Sequence, residues 1–591
     1  MARRRPTRTL LLAALFLVAI ILRIWLATRE TIANPDIMRY IDQAQGLARD
    51  PLTTLRAEVF HPLHAAAALL AHTLLHPFIA DDRLAWLWSL RTVAILAAAV
   101  VTLEIAWLAR LLGAPFWASI AASLAWLTAR RTAVYGSDGL SDMLAISLFG
   151  GAMLTGLHAL RRIPRSRMAR ARPSLDPRWI AAGTLAGLSY LTRPEGFVAV
   201  AILAASLVFL SVGRRSVSVR RPAWLERWKI FPRHPLAFKP AMASLLLLLV
   251  GAAIPALPYM LITHRFTGKV KGLAPDLAPT ALAAQATAGG GGVSPLFVLP
   301  YIARELFETF FWPCTLVFCL AILIQPRPWG RPRLRVPVIL WAATWTSAMA
   351  AVLLWPGKGY LDGRHTLILT FLLFAMLGLA IAIWEKPMRA WMGLWRRRPD
   401  AWARLPAALR WGGWPRTFAL GVTAFTLLPG MVEMLGERPR ADRQNLVDAA
   451  AWIHSHTRPD TVVADDQRLV GFYSGRRYAW WTGTLEKPEL HQLEAFRRQN
   501  VSAPGAPATQ PAPTPLLAGM TYDLGNTGSA PPALAIGPYR AVASFRSGDP
   551  PHDHLYVLYA LPDDPVLADG RPAEPLAALP QPTTQASFAH P

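Results

Sequence analysis

The chain runs to 591 residues, 53% of them hydrophobic and only 16% charged, which excludes a disordered polymer and an ordinary water-soluble protein. Its 61 Lys and Arg outnumber 36 Asp and Glu, but they gather in short clusters between apolar stretches, a pattern that orients a membrane protein and argues against nucleic-acid binding. No internal repeat, zinc-ligand spacing, phosphate loop or Gly-rich dinucleotide fingerprint occurs, and Cys314 and Cys319 share one apolar segment, so no disulfide holds a soluble domain together.

A bilayer core of about 30 Å takes about 20 apolar residues per spanning helix. Spans are predicted near 9–27, 90–110, 115–133, 140–160, 179–192, 196–212, 241–263, 307–324, 336–355, 366–384 and 417–435. The first follows Arg3, Arg4 and Arg5 as a signal peptide would, yet runs on to Trp25 without a small-residue cleavage site, so it is an anchor. The span opening at Trp179 is short, and either tilts little or forms a hairpin with its successor around Arg193-Pro194-Glu195.

The loops holding Arg161 to Arg178, Arg214 to Lys239, Arg327 to Arg335 and Lys386 to Arg416 are densely basic, which places them in the cytoplasm. A cytoplasmic N-terminus then puts residues 28–88, 264–306, 356–364 and 436–591 on the outer side of a plasma (inner) membrane. The stretch from Phe60 to Ile79 is apolar but carries four histidines and is bounded by prolines; it is expected to lie at the outer membrane face rather than to cross.

The membrane domain thus covers 1–435, with the outer loop 28–88 inside it, and a soluble pattern follows from Glu437. Leu446, Ala450 and Ile453 outline an amphipathic helix, TVVAD at 461–465 a strand, RLVGFYSGRRYAWW a strand and turn, and YRAVASF with HLYVLYAL a hairpin. These make an extracytoplasmic α/β domain over 436–562, while the Pro/Ala/Thr-rich stretch 502–515 and the tail 563–591 are expected to lack order.

Chemistry points to the outer ends of the helices. In NPDIMRYIDQAQGLARDP, Asp36, Tyr40 and Gln43 share one face of a short helix, where Asp36 is either a cap or a base held at the membrane surface. Charges near the membrane interior are costly, so Arg91, Asp142, Arg193, Glu195 and Arg364, all at outer helix ends, require an explanation. Snorkelling suits Arg91, and capping competes with function at Asp142. Arg193 and Arg364, two cations at one face, suit a lipid phosphate whose charge grows on departure. Glu104 lies deeper and is expected to make a structural polar contact. His61 and His64, three apart, fit the surface of an interfacial helix, and no third ligand accompanies them, so no metal is indicated. His454, His456, His552 and His554 receive no role.

In chain order, the Asp36 segment, FHPLHAAAALL, SLRTVAILAAAV, LSDMLAISLF, GLSYLTRPEGF and GYLDGRHTLIL together resemble the C-type (GT-C) glycosyltransferase superfamily, in the bacterial branch related to protein O-mannosyltransferases and aminoarabinose transferases. The resemblance covers residues 9–435. It implies an all-α polytopic membrane domain of the GT-C type, which the spans above fill with about eleven transmembrane helices, followed by the small outer α/β domain read from the pattern after Glu437. It also implies transfer of a sugar, with inversion, from a polyprenyl-phosphate-linked donor to a hydroxyl of a glycan, lipid or protein acceptor. Asp36, a few residues before Tyr40, matches the acid at the family's reaction centre, and Tyr40, His61, Asp142, Glu195, Arg193, Arg364 and His365 are the candidate substrate contacts. Ile37 stands where many relatives carry a second acid, so no divalent cation or other cofactor is indicated. The alternative is a transporter or lipid flippase without chemistry, but the inverted repeats and broken midplane helices of many transporters are not evident in this sequence.

Overall fold

The computed structural model describes residues 5–57, 60–163, 176–212, 236–266, 295–325, 330–354, 361, 363–396, 414–436, 443–465, 469–480, 516–523, 535–536, 538–547, 554–563, 566–569, 571 and 573–576. They form two compact units, Met1–Ala27 with Tyr40–Glu437, and Thr28–Arg39 with Arg438–Pro591. The outer-loop residues Thr28–Arg39, expected with the membrane domain, thus cluster with the C-terminal residues, where Ala33 N–H donates to Tyr473 OH at 3.0 Å.

The first unit is helical. Seven of its described helices are long and apolar enough to cross a membrane, or eight if Leu296–Phe310 and Trp312–Ile324, bent by 112°, make one span. Phe311 at the bend has φ +72°. Three further helices coincide with predicted spans but are shorter or shorter in their apolar part: Phe116–Thr128, Gly421–Gly436 and the 15-residue Arg178–Thr192. The predicted span 115–133 breaks at Ala129, because the Thr132 hydroxyl takes the Trp126 and Ala129 carbonyls, and a separate helix Arg130–Ser137 follows. In the histidine-rich stretch, Leu63–Leu75 is a 13-residue helix, shorter than the about 20 residues of a full span. Most of the basic loops on which the orientation rests lie outside the described residues.

Buried aromatic rings hold the centre of this unit, with Trp126 against Phe374 at 5.5 Å and Trp341 between Phe149 and Phe371 at 5.2 and 5.8 Å. The helices Arg178–Thr192 and Phe238–Thr263 pack along each other. There a Cβ on Gly187 would lie 2.6 Å from the Ala252 carbonyl oxygen, and one on Gly183 or Gly251 would strike the Leu248 or Ile180 carbonyl oxygen. In lipid, where apolar surface gains nothing by leaving water, such backbone proximity supplies the packing energy. Two residues depart from expectation. Arg91 does not snorkel to water but is buried, its guanidinium 5.5 Å from the Trp88 ring. Glu104 is buried beside Gly150 and Gly151, and its Oε2 has no hydrogen-bond partner among the described residues.

The second unit is a six-stranded mixed sheet, order β2-β1-β3-β6-β5-β4, with strands β1 Val462–Asp465, β2 Arg477–Trp480, β3 Leu516–Asp523, β4 Ala535–Ile536, β5 Tyr539–Ser547 and β6 His554–Ala560. β1 runs parallel to β2 and β3, and the remaining pairs are antiparallel. Helix Gln444–His456 packs on β5 and β6. In RLVGFYSGRRYAWW, expected as a strand and turn, the strand is β2, and Leu469–Ser474 ahead of it is a helix, because Asp465, at the end of β1, accepts the Val470 and Gly471 N–H groups and starts a helical crossover. Part of the tail expected to lack order is fastened: Arg458 N–H donates to Val566 O, Ala568 N–H to His456 O and Leu576 N–H to Ala541 O. The expectations for 502–515 and 577–591 lie outside the described residues.

Candidate active site

Pro194 sets the geometry. The ring of a proline pushes the preceding residue out of the helical region, so Arg193 is extended (φ −153°, ψ 139°) and ends the helix Arg178–Thr192. Its side chain swings onto Asp142, the first residue of the helix Asp142–Leu160, and its Nε lies 3.6 Å from Glu195 Oε2. Asp142 is therefore not a helix cap; its carboxylate is spent on Arg193. Gly196 allows the tight return, because a Cβ there would strike the backbone of Ser189 and Tyr190. Ser189 Oγ donates to Ala145 O at 2.9 Å and fastens the two helices one turn from the ion pair. Burial alone would lower the Arg193 pKa, but Asp142 and Glu195 outweigh it and hold the guanidinium above its ordinary range, with Tyr40 adding to them and Arg364 opposing.

Asp142, Arg193 and Glu195 line a cleft of about 630 Å³, its open mouth included. Arg364 and His365, from the first turn of the helix Gly363–Arg396, also line it, and Trp345, Met349, Val352 and Ile368 supply an apolar wall. The His365 backbone oxygen accepts the Trp345 indole N–H at 2.7 Å. Arg131 packs against the start of the helix that carries Arg364: it pairs with Glu305 at 2.7 Å and with Glu308, and it lies so close to Gly363 that a Cβ there would be 2.7 Å from its Nη1.

Tyr40 reaches the same region from the helix Asp36–Arg49, its hydroxyl 2.7 Å from Ser141 Oγ, next to Asp142. Gln43 does not face a substrate space; it is buried and donates to Phe60 O at 2.8 Å. His61 and His64 are not surface residues. His61 is buried between the rings of Tyr190 and Tyr259, at 4.9 and 5.4 Å, and His64 packs on Tyr40 and bonds the Gly139 carbonyl at 2.9 Å. Asp36 opens the helix that carries Tyr40, but the cap is Asn34, whose side-chain oxygen accepts the Asp36 N–H at 3.0 Å. Among the described residues no group of three or more His, Cys, Asp or Glu is placed to hold a metal ion.

The structure thus brings together Tyr40, Asp142, Arg193, Glu195, Arg364 and His365. Ser141, Ser189, Trp345 and the Arg131–Glu305 pair were not singled out by the sequence. Trp345 alone gave a signal, an indole N–H in an apolar span that needs an acceptor.

No family model matches the chain, and no curated protein matches it in sequence. In structure it is similar to ArnT from Cupriavidus metallidurans bound to undecaprenyl phosphate, at TM-score 0.53 and 16% identity over 93% of this chain and 97% of that one. The apo state of the same protein gives TM-score 0.50 at 16% identity and the same coverage. The archaeal oligosaccharyltransferase AglB from Archaeoglobus fulgidus, in complex with an inhibitory peptide and a dolichol-phosphate, gives 0.49 at 13% identity over 81% of this chain and 65% of that one. On the ArnT likeness, which runs nearly the length of both chains, this chain has the fold of the GT-C membrane glycosyltransferases, the fold that its membrane motifs predict.

Proposed function

We propose that the protein is a membrane glycosyltransferase that moves one sugar from a polyprenyl monophosphate to a hydroxyl-bearing acceptor at the outer face of the membrane. The observation that carries this reading is the lining of the cleft, which combines Arg193 and Arg364 with the apolar side chains of Trp345, Met349, Val352 and Ile368. That combination suits an amphiphile with an anionic head. ArnT, the neighbour of similar fold, was captured with undecaprenyl phosphate, a ligand of this class.

In the reaction the acceptor hydroxyl attacks the sugar C1 while the bond from C1 to the phosphate oxygen breaks, so the anomeric centre inverts. The donor phosphodiester carries one negative charge and the departing monoester nearly two. Arg193, oriented by Asp142 and Glu195, and Arg364 offset that added charge. Asp36 is the base that takes the hydroxyl proton; its own N–H is capped by the Asn34 side-chain oxygen. Tyr40 and His365 complete the surroundings of the donor, whereas His61, buried between Tyr190 and Tyr259, does not line the cleft.

The test is transfer from a panel of radiolabelled polyprenyl-phosphate sugars by the purified protein in liposomes. Labelled acceptor is expected, with Arg364→Ala raising the donor KM at least about tenfold, the loss of one charge-assisted contact, and Arg571→Ala without effect. A reporter fused after Arg440 is expected to be active only outside the cytoplasm. Wild-type donor kinetics in Arg364→Ala would remove the phosphate role, and cytoplasmic reporter activity would remove the outer-face assignment.

A further inference from the structure

Asp142 inherits its position from the turn before it. Gly139 has φ +76°, a conformation open to glycine because it lacks a Cβ, and the turn from Gly139 to Ser141 launches the helix Asp142–Leu160. Two side chains from elsewhere in the same unit hold that turn. His64 contacts the Gly139 carbonyl oxygen at 2.9 Å, and the Tyr40 hydroxyl lies 2.7 Å from Ser141 Oγ. The two holders brace each other, the rings of Tyr40 and His64 meeting edge to face at 4.8 Å. Gln43, on the Tyr40 helix, donates to Phe60 O at 2.8 Å, just ahead of the helix that carries His64.

Because a carbonyl oxygen only accepts, His64 donates through Nε2–H, and its Nδ1 bears the lone pair. The imidazole is fully buried, and Nδ1 has no hydrogen-bond partner among the described residues. His64 does not line the cleft. We infer that His64 is a positioning residue: by holding the Gly139 carbonyl it fixes the start of the helix from which Asp142 orients Arg193 toward the donor phosphate. This inference rests on the function proposed above.

The experiment compares His64→Phe, which keeps a ring against Tyr40 but has no N–H donor, with His64→Gln, whose amide N–H lies near the place of Nε2–H. Undecaprenyl phosphate binding and sugar transfer are measured on purified protein. In His64→Phe the Kd for undecaprenyl phosphate and the donor KM are expected to rise about tenfold, as for a lost buried hydrogen bond, with kcat within about threefold. His64→Gln is expected to restore most of the affinity. In an Asp142→Asn background His64→Phe is expected to add less than about threefold, since two residues acting through one element do not add. Wild-type affinity in His64→Phe, or a full additional loss in the Asp142→Asn background, overturns the inference. If the wild-type protein neither binds undecaprenyl phosphate nor transfers sugar, the proposed function fails instead. Hydrogen exchange over residues 139–146 then still decides the positioning: it is expected to accelerate in His64→Phe but not in His64→Gln, and wild-type exchange in His64→Phe overturns it.

Discussion

Arg193, which ends the helix Arg178–Thr192, is ion-paired with Asp142, which begins the helix Asp142–Leu160, and the two lie 51 positions apart in the chain. The Asp142 side chain is only 3% exposed and that of Arg193 19%. Removing one member of a buried pair strands the other, at a cost of about 3–5 kcal/mol, whereas removing both costs less. Asp142→Ala is therefore expected to lower the thermal midpoint in detergent more than Asp142→Ala combined with Arg193→Met. Strictly additive losses in the double variant would show that the two side chains are not coupled.

Asp36→Asn separates base from scaffold. Asparagine keeps the shape of the side chain and a capping oxygen, so the variant should fold as the wild type does and still bind undecaprenyl phosphate. An amide does not accept a proton at neutral pH, and loss of a general base costs about 10²–10⁴ in rate. Transfer per folded molecule is expected to fall by that amount, with Asp42→Asn as the control. Near-normal transfer by Asp36→Asn sinks the proposed mechanism.

His64 predicts a pH signature. Burial pushes its imidazole down to about 4, against a smaller opposing effect of the bond to Gly139. An unfolded chain takes up this proton below about pH 6.5, while the folded protein refuses it until about pH 4. The resulting stability is fully present above pH 6.5 and falls as the pH drops toward 4, by about 3 kcal/mol at most. Thermal midpoints measured from pH 7 to 5 should decline less in His64→Gln than in the wild type; parallel curves would contradict the buried neutral imidazole.

The glycine contact gives a prediction with an internal control. A Cβ at Gly183 would meet the Leu248 carbonyl oxygen, whereas Gly421 has nothing within 4 Å of the place a Cβ would take. Gly183→Ala is expected to destabilise by about 1–3 kcal/mol, as overpacking does. Gly421→Ala, at an exposed position of its helix, should be neutral or stabilise by about 0.5–1 kcal/mol. Equal unfolding midpoints for the two variants would remove the close helix contact.

The parts legible in the sequence are those fixed by local pattern. The apolar segments became helices, and YRAVASF and HLYVLYAL became β5 and β6, because alternation and length decide both. What escaped depends on partners distant in the chain. LVGFYS is rich in strand formers, yet Asp465 caps it into a helix. β3 contains Gly519, a poor strand residue, which the sheet accepts because the Tyr556 hydroxyl occupies the room a side chain would need. At the site, the outer-end charges Asp142, Arg193, Glu195 and Arg364 were legible because charge in an apolar context is costly. Burial of His61 and His64 was not, since an HxxH spacing reads alike on a surface and beneath the Tyr40 helix.

The helix Arg178–Thr192 has 15 residues, which at 1.5 Å each span about 22 Å, against a hydrocarbon core of about 30 Å. With Arg178 at the inner boundary, as the proposed orientation requires, the turn bearing Arg193 stops about 8 Å short of the opposite surface. A lipid phosphate meets that arginine only where the bilayer thins around the protein or the head group dips beneath its neighbours. The acyl chains of the surrounding lipids thereby become a determinant of turnover. Membranes built from longer chains would submerge the charged turn further and slow the protein without altering a single side chain.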